Sequence, residues 1–427
     1  MIDFTENILD HFEKGKITKT IYENGAVFLH HRTPKICSAF VTVTFLVGSR
    51  DEVRSSSKDE SGLAHLLEHM IFKGGSAIKG SELLTLMESM GAEINAFTTK
   101  ETISFELNCL NTDLKKIFPL FLDLILSPRF DQTEFEREKN VVLQEIREER
   151  DDYELEAEER LFEKCFDYDL GHPITGSLKS VSEFKPKHLM KFYEHHFVPP
   201  KMVITVVGDV VVHPFQETLS KLFSKFNLKK KSKPFRKKRE TGFGKINHFS
   251  MKLKRGSENP YLFLTLKGFP FDSQYKGEAL LLNHYLSEGM SSRFFKALRD
   301  EEGLVYGISS YLNSFIDNGS LVISFTAQPK NLIKVKDKIR DIFGDIAING
   351  ISEEKLMVCK KQLMTSFLMA FDDTEEINQH MSRGEIYRGR ILSLKEIDAM
   401  INNCGTERIK FVTQELLKDG FSQLELK

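Results

Sequence analysis

The sequence predicts an α+β protein of two homologous domains, each with a mainly antiparallel sheet packed against helices. Its 427 residues are enough for two or three domains with a sizeable core in each. The composition, 41% apolar and 29% charged, is typical of a globular protein. The same order of strand and helix patterns also occurs twice, on either side of a basic segment. We therefore predict domains at residues 1–226 and 244–427, joined by a basic linker at 227–243.

The first half leads from strands into a helix, then a turn at Ser127 and Pro128, then a long helix rich in Glu and Lys. Its predicted elements, in chain order, are strands at 26–31 and 39–48, helices, a strand at 102–110, helices at 112–126 and from about 133, a short helix at 186–195 and an apolar strand at 202–207.

The second half repeats this order. Its predicted elements are a strand at 262–266, a helix at 276–286, strands near 306–312 and 320–325, helices from 331 and from 352, further helices and a final strand at 423–426. The similarity of the two patterns indicates a duplicated α+β domain.

The charge balance gives no general attraction to polyanions. The formal net charge is -2, so no global field draws the chain to nucleic acid or to anionic lipid. The basic block at 229–239 could bind nucleic acid, which would cause strong salt-dependent retention on DNA. Its single aromatic residue and its place between two structured patterns favour a solvated linker instead. We expect neither a nucleic-acid partner nor a membrane partner.

The cysteines and the start of the chain predict a cytoplasmic protein. The five cysteines are scattered and form no C-x-x-C pair, so we expect free thiols rather than disulfides or a thiolate zinc site. No apolar run approaches the roughly 18 residues of a membrane helix. The first residues have no basic region that leads into an apolar stretch, so we expect no signal peptide.

The segment 61–75 combines residues that can bind a metal ion. Ser61 is a predicted N-cap and Gly74 a predicted terminator of a helix. On that helix His65, Glu68 and His69 share one face. The opposite face is an apolar stripe, formed by Leu63, Leu66, Leu67 and Met70.

Two imidazoles at i and i+4 can reach one metal ion, and the order H-x-x-E-H is that of the inverted zincins. Chance produces this spacing roughly 0.06 times in a chain with 13 His and 62 acidic residues. The alternative is a solvated polar face that carries the three residues by accident.

Catalytic zinc usually takes three protein ligands, so a third ligand must come from elsewhere. The helix that starts near residue 133 is dense in acids, namely Glu134, Glu136, Glu138, Glu145, Glu148 and Glu149. Glu145 lies among apolar residues and is the acid most suited to point into a packed interior. Glu138 lies seven residues earlier, on nearly the same side of the helix. The residues alone leave the choice between these acids open.

The segments 48–52 and 62–74 resemble the active-site signature of the pitrilysin/insulinase family of zinc peptidases. That family includes the mitochondrial processing peptidases and small bacterial proteases. Its third ligand is a Glu about 76 residues beyond the second His. The separation from His69 to Glu145 is 76 residues, so the resemblance implies that His65, His69 and Glu145 hold one zinc ion per chain.

The same resemblance implies roles for residues outside this ligand set. Glu138 matches an acid that supports a ligand from outside the coordination sphere. Residues 291–307 are similar to a C-terminal segment in which an Arg and a Tyr reach the substrate near the scissile bond, and here these are Arg299 and Tyr306. A further similarity covers an edge strand that pairs with the backbone of bound peptide, namely Asn95, Ala96 and Phe97.

The implied function is a zinc-dependent endopeptidase that cleaves unfolded or short peptides within a closed chamber. Glu68 would act as the general base, and Tyr306 with Arg299 would stabilise the oxyanion or bind a substrate carbonyl. In this view the N-terminal domain is catalytic and the C-terminal domain supplies Arg299 and Tyr306. The alternative is a non-catalytic or processing-partner subunit of the same family, although such subunits usually lose these residues.

The resemblance also implies an assembly. Long family members have four domains in two half-shells, with zinc in the first domain and the Arg/Tyr pair in the last. A two-domain chain is half of that arrangement. We therefore expect a homodimer in which zinc from one subunit faces Arg299 and Tyr306 of the other. A heterodimer with a related chain is the alternative.

Overall fold

The computed structural model describes residues 17–55, 58–76, 79–225, 232–235, 243–253 and 259–426. The first sixteen residues, on which the expected absence of a signal peptide depends, lie outside the described residues, as does most of the predicted linker at 227–243. The strands are β1 (Thr18–Ile21), β2 (Val27–Arg32), β3 (Ser38–Phe45), β4 (Arg54–Ser55), β5 (Lys58–Asp59), β6 (Glu93–Thr98), β7 (Ile103–Leu110), β8 (Met202–Gly208), β9 (Ser250–Leu253), β10 (Tyr261–Lys267), β11 (Val305–Ser314), β12 (Gly319–Ala327) and β13 (Ser422–Leu426).

Helices follow the strands in both halves of the chain, and a π-helical segment, Phe295–Asp300, precedes β11. The α-helices are α1 (Leu63–Ile71), α2 (Gly80–Ser89), α3 (Asn111–Leu126), α4 (Gln132–Asp151), α5 (Tyr153–Cys165), α6 (Tyr168–Gly171), α7 (Leu178–Glu183), α8 (Pro186–His196), α9 (His213–Lys225), α10 (Lys276–Ser287), α11 (Leu332–Asn349), α12 (Glu353–Ala370), α13 (Thr374–Arg388), α14 (Leu394–Asn402) and α15 (Thr406–Leu417).

The chain divides into two compact units that do not follow the linear halves throughout. The first unit consists of Met1–Glu149, Tyr168–Arg236 and Ala370–Ile391, and the second of Arg150–Asp167, Lys237–Met369 and Leu392–Lys427. Each unit therefore includes one helix from the other half of the sequence: α13 lies in the first unit and α5 in the second. The predicted division at the linker placed α5 with the first domain and α13 with the second, so it did not predict this exchange of helices.

A six-stranded sheet forms the centre of the first unit, in the order β1-β2-β8-β3-β7-β6. Only β2 and β8 pair in parallel, and the other neighbours are antiparallel. Helices α1 and α3 contribute to the hydrophobic core of this unit. Its largest fully buried side chains include Phe45, Phe105, Phe118 and Phe121.

Helix α13 packs on this sheet through both apolar and polar contacts. Ile377 and Met381 lie in an apolar cluster with Val27, Leu29 and Val203. Beside this cluster the contacts are hydrogen bonds: the Asn378 amide donates to the carbonyl oxygens of Phe40 and Thr205, at 3.0 Å each. Thr42 Oγ1 donates a further hydrogen bond of 2.7 Å to Asn378 Oδ1.

The second unit is built on a five-stranded sheet in the order β11-β12-β10-β13-β9. Here β13 and β9 are the parallel pair. In the second unit, Tyr311 on β11 donates a hydrogen bond of 2.6 Å to Glu158 on α5. The core contains fully buried aromatic side chains, among them Phe269, Phe294, Phe325 and Phe343.

The two sheets have the same topology. If the five strands β2, β3, β6, β7 and β8 are numbered along the chain, their spatial order is 1-5-2-4-3, and the five strands β9 to β13 have the same order. In both sheets strands 1 and 5 are parallel and every other pair is antiparallel. The predicted fold class, a duplicated α+β domain with mainly antiparallel sheets, is confirmed.

Two smaller expectations concern the described part of the chain. All five cysteines are free, as predicted, and four of them are buried. Across the described ranges, no helix combines the length and the apolarity required to cross a bilayer.

Candidate metal centre

Helix α1 has the predicted two-sided character. The side chains of its apolar stripe, Leu63, Leu66, Leu67 and Met70, are fully buried in the core. The opposite face carries His65, Glu68 and His69. This face is not a solvated surface, because Glu68 is only 8% exposed and the side chain of His69 only 19%. The expectation of a solvated face, on which the alternative depends, does not match this burial.

The start of α1 differs from the prediction. The N-cap is Gly62, with φ of 90°, and not Ser61. The Ser61 hydroxyl instead donates to Asp59. The first backbone N–H groups of the helix are satisfied by the carboxylate of Glu52, a residue ten positions upstream that local sequence rules for caps do not consider. Past Ile71, the last residue of α1, the chain turns through Phe72 and Lys73 to the predicted terminator, Gly74.

Helix α4 places Glu145 beside the two imidazoles. One ligand atom from each of His65, His69 and Glu145 lies within 4.8 Å of the others. The two rings are 4.7 Å apart between centroids, and His69 Nε2 lies 3.6 Å from Glu145 Oε2. The three side chains singled out from the sequence as metal ligands therefore meet in space.

Two polar atoms of this cluster are not satisfied by the described protein atoms. Both Nδ1 of His65 and Oε2 of Glu145 are buried without a hydrogen-bond partner in that part of the chain. Buried polar atoms of this kind are rare unless a water, an ion or a ligand binds them. Two His and one Glu are also a standard donor set for catalytic zinc, which leaves a coordination position for water. The composition and the unsatisfied atoms therefore fit a metal ion.

The charges around the cluster act in opposite directions on the two imidazoles. Burial, together with the charge of His69, lowers the pKa of His65 to about 3. Burial also opposes charge on His69, but the hydrogen bond with Glu138 and the charges of Glu145 and Glu68 outweigh it and raise the pKa of His69. A neutral His65 has a free lone pair, as a metal ligand requires.

Glu138 lies behind His69, as the resemblance implied. Its Oε2 is 3.3 Å from His69 Nδ1, and its Oε1 is 2.9 Å from the ammonium group of Lys73. The hydrogen bond with His69, helped by Lys73, lowers the pKa of Glu138. A charged carboxylate at Nδ1 fixes the ring so that Nε2 faces Glu145.

Glu68 is held by the edge strand of the sheet. Thr98 Oγ1, at the end of β6, donates a hydrogen bond of 2.5 Å to Glu68 Oε2. Burial raises the pKa of Glu68, and the Thr98 hydrogen bond only partly offsets this effect. Strand β6 forms the outer edge of the first sheet, because within the described residues it pairs only with β7.

The predicted substrate-binding residues lie on this edge strand, but their side chains do not share one face. Ala96 is opposite Phe105, whose side chain is in the core, whereas Asn95 is opposite Glu106 and Phe97 opposite Ser104. Asn95 and Phe97 therefore project to the other side of the sheet from α1. Only the backbone of β6 is available along the whole edge.

Arg299 and Tyr306 lie together in the second unit. Tyr306 sits in a β-bulge near the start of β11, where the pairing register with β12 shifts between Val305 and Ile308. A bulge redirects a side chain out of the sheet, and Tyr306 is 85% exposed. The Arg299 guanidinium, on the π-helical segment, lies 4.9 Å from the ring centroid of Phe295 and 5.6 Å from that of Tyr306.

Several polar residues that contact the predicted ones had no role assigned from the sequence. Their partners are distant in sequence, so no local spacing rule could identify these contacts. They are Glu52 and His172 at the start of α1, Lys73 beside Glu138, and Thr175, which bonds to Glu149 one turn after Glu145.

Comparisons with known proteins agree with this geometry. The family model described as Insulinase (Peptidase family M16) matches residues 27–177, and that described as Peptidase M16 inactive domain matches residues 183–363. A protein of Bacillus subtilis called an uncharacterized zinc protease is 26% identical over 403 residues, which cover 94% of this chain and 95% of the relative. Another uncharacterized zinc protease, from Mycobacterium leprae, is 27% identical over 409 residues, which cover 95% of this chain and 90% of the relative.

Solved structures share the fold over nearly the full length. A protease from Helicobacter pylori has a TM-score of 0.85 at 21% identity and covers 97% of this chain and 99% of its own. The peptidase M16 inactive domain from Pseudomonas fluorescens has a TM-score of 0.84 at 17% identity. The match covers 96% of this chain and 98% of that structure.

The duplicated sheets and the helix that carries His65 and His69 define a class, the short two-domain peptidases of the pitrilysin and insulinase type. The two family models span both halves of the chain in the expected order. The chain belongs to the insulinase family, peptidase family M16.

Proposed function

We propose that the protein is a zinc-dependent endopeptidase that hydrolyses unfolded or short peptides. The observation that carries this proposal is the convergence of His65, His69 and Glu145, with buried unsatisfied atoms on His65 and Glu145. The relatives from Bacillus subtilis and Mycobacterium leprae are both called zinc proteases, which supports the choice of metal. The expected stoichiometry is one zinc ion per chain.

His65, His69 and Glu145 would hold the ion, and Glu138 would keep the His69 ring in place through Nδ1. When bound, zinc supplies Lewis acidity that polarises a carbonyl group and lowers the pKa of a water molecule. Glu68 lies on the same helix face as both His ligands and is oriented by Thr98. Its carboxylate takes the proton of the attacking water and delivers it to the leaving amine.

The peptide substrate is proposed to bind by adding a strand to β6. The edge of β6 offers backbone N–H and C=O groups that no strand in the described residues uses, and an extended peptide can pair with such an edge whatever its side chains are. Asn95, Ala96 and Phe97 would contribute chiefly backbone contacts. Pairing of this kind favours unfolded or short peptides over folded proteins.

Arg299 and Tyr306 are proposed to contact the substrate next to the scissile bond. The exposed phenol of Tyr306 can donate to an oxygen that gains negative charge, and the Arg299 guanidinium, which lies over the Tyr306 ring, carries N–H donors for an acceptor. By analogy with four-domain relatives, these residues would serve the metal centre of a second copy of the chain. The proposed assembly is therefore a homodimer with shared sites.

Replacement of Glu68 by Gln tests the function. The variant is expected to keep one zinc per chain, measured by inductively coupled plasma mass spectrometry, and to lose peptide cleavage by about 10²–10⁴-fold. Glu82→Gln, which changes an exposed acid on α2, is the matched control and should retain full activity. Substantial turnover by the Glu68 variant would exclude the proposed general base. A wild-type protein that binds no zinc and cleaves no peptide would favour the non-catalytic partner subunit.

A further inference from the structure

A fully buried carboxylate lies at the start of the helix that carries the two His residues. The Glu52 side chain is 0% exposed. Its oxygens accept hydrogen bonds from the backbone N–H groups of Gly62 at 3.0 Å and Ala64 at 2.7 Å. The first N–H groups of a helix have no partner inside the helix, so an acid that accepts from them fixes the position of the helix end. His65 is the next residue after Ala64.

Glu52 is in turn held by His172. Nε2 of His172 lies 2.9 Å from Glu52 Oε2, and the His172 side chain is almost completely buried. The ammonium group of Lys100 donates to the carbonyl oxygen of His172, which fixes the backbone at that point. The start of α1 is therefore connected through Glu52 to a segment more than a hundred residues away in sequence.

The same segment contacts the helix that carries Glu145. Thr175 Oγ1 donates a hydrogen bond of 2.7 Å to Glu149 Oε2. Glu149 follows Glu145 by four residues on α4, so the two acids lie one turn apart on the same face. Residues 172–176 thus contact both the start of α1, through Glu52, and helix α4, through Glu149.

The backbone of this segment lies directly against the start of α1. Gly62 and Gly176 both have positive φ, at 90° and 82°. A Cβ atom at Gly62 would overlap with the carbonyl oxygen of Thr175, and one at Gly176 would overlap with that of Ser61. Such close approach between two chain segments requires glycine at both positions.

We propose that residues 172–176 position α1 and α4 relative to each other and thereby set the geometry of the three metal-binding side chains. The two His come from α1 and the Glu from α4, so no single helix determines their separation. Glu52, His172 and Thr175 are positioning residues in this arrangement, and none of them binds the metal or the substrate. This inference rests on the proposed zinc site.

Thr175→Val is the sharpest test, because it removes the hydroxyl group and keeps the shape of the side chain. We expect zinc affinity, measured by competition with a chromogenic chelator, to fall about tenfold. The visible spectrum of the cobalt-substituted protein should shift, and kcat should fall with little change in KM. Thr175→Ser, which restores the hydroxyl, should recover the wild-type affinity and spectrum. Thr218→Val is the control, since that hydroxyl bonds to Pro214 within α9.

His172→Gln tests the contact of the segment with Glu52 and uses the same readouts. Circular dichroism establishes that each variant is folded. Wild-type zinc affinity and an unshifted cobalt spectrum in folded Thr175→Val and His172→Gln proteins would overturn the positioning role and leave the proposed peptidase intact. If His172→Gln does not fold, the Thr175 pair alone decides the question. A wild-type protein without zinc affinity would overturn both proposals together.

Discussion

Glu138 connects the metal centre to Lys73 through a carboxylate that uses both of its oxygens. Replacing it by Gln removes the charge that fixes the His69 ring and leaves Lys73 without its charged partner. We expect zinc affinity to fall about 10–100-fold, as is typical for partners of metal-bound His. Chelator competition measures this loss.

The matched control for that variant is Glu148→Gln, because Glu148 lies on the same helix α4 and is exposed. Its zinc affinity should equal that of the wild type. Equal affinity of the Glu138 and Glu148 variants would show that Glu138 does not support His69.

A second acid, Glu106 on β7, lies outside the metal site, and its surroundings destabilise its ionised form. Its Oε1 is buried without a hydrogen-bond partner among the described residues. Burial, followed by the charge of Glu375, raises the pKa of Glu106 to about 7. The unfolded chain releases this proton near its ordinary pKa of 4.5, so the folded state binds more protons between those values. The stability contributed by Glu106 is therefore complete below pH 4.5 and is lost as the pH rises through 7.

Glu106→Gln removes this dependence on pH. Relative to the wild type, we expect the variant to gain roughly 2 kcal/mol of unfolding free energy between pH 5 and pH 8, from about 1.4 kcal/mol per pKa unit. Thermal melting at the two pH values measures the change. Glu88→Gln, at an exposed position on α2, should show no such difference. The shifted pKa would be contradicted if the difference in melting temperature between the Glu106 variant and the wild type were the same at both pH values.

Among the polar contacts of helix α13 with the first sheet, the Asn378 amide makes three hydrogen bonds. Asn378 is fully buried, and its side chain bonds to Thr42 and to the backbone of Phe40 and Thr205. Asn378→Ala removes these three buried hydrogen bonds, at about 0.5–1.5 kcal/mol for each. We expect destabilisation of at least about 2 kcal/mol, measured by urea unfolding.

Asn349→Ala is the control for the Asn378 variant. Asn349 is exposed at the end of α11, and within the described residues its side chain forms a hydrogen bond only with Asp345. It should change the unfolding free energy by less than about 0.5 kcal/mol. Similar destabilisation by both variants would mean that the Asn378 network adds little.

Individual elements show what the sequence could and could not predict. The apolar stripe of α1 and the acids of α4 follow helical periodicity, so their helices and the meeting of His65, His69 and Glu145 were accessible through spacing and family resemblance. The cap of α1 was not, because Glu52 reaches it through the tertiary fold. The bulge that exposes Tyr306 also has no signal in the alternation of residues, since one extra residue in a strand is visible only in its pairing with β12.

At the scale of the whole molecule, the proposed homodimer predicts complementation between inactive chains. Glu68→Gln and Tyr306→Phe chains, each poorly active alone, are mixed and allowed to exchange subunits. Random exchange makes half of the dimers mixed, each with one intact site of two, so activity should reach about a quarter of the wild-type value. Peptide cleavage after verified exchange measures the recovery.

The control mixture contains Glu68→Gln and His65→Gln chains. Both changes lie in the zinc-binding half, so every site of the mixed dimers is defective and no activity should return. If the Glu68 and Tyr306 mixture also stays inactive after verified exchange, each chain works alone or needs a different partner.

The exchange of helices between the two units has a consequence for biosynthesis. The apolar cluster that α13 covers, which includes Val27 and Val203, is complete except for its helix once β8 has been made. Residue 388, the end of α13, follows 180 residues after Gly208. At about 5–20 residues per second, a ribosome needs roughly 9–36 s to supply it. During that interval a folded first unit would leave this apolar strip uncovered, and exposed apolar surface of this kind makes a nascent chain prone to aggregate.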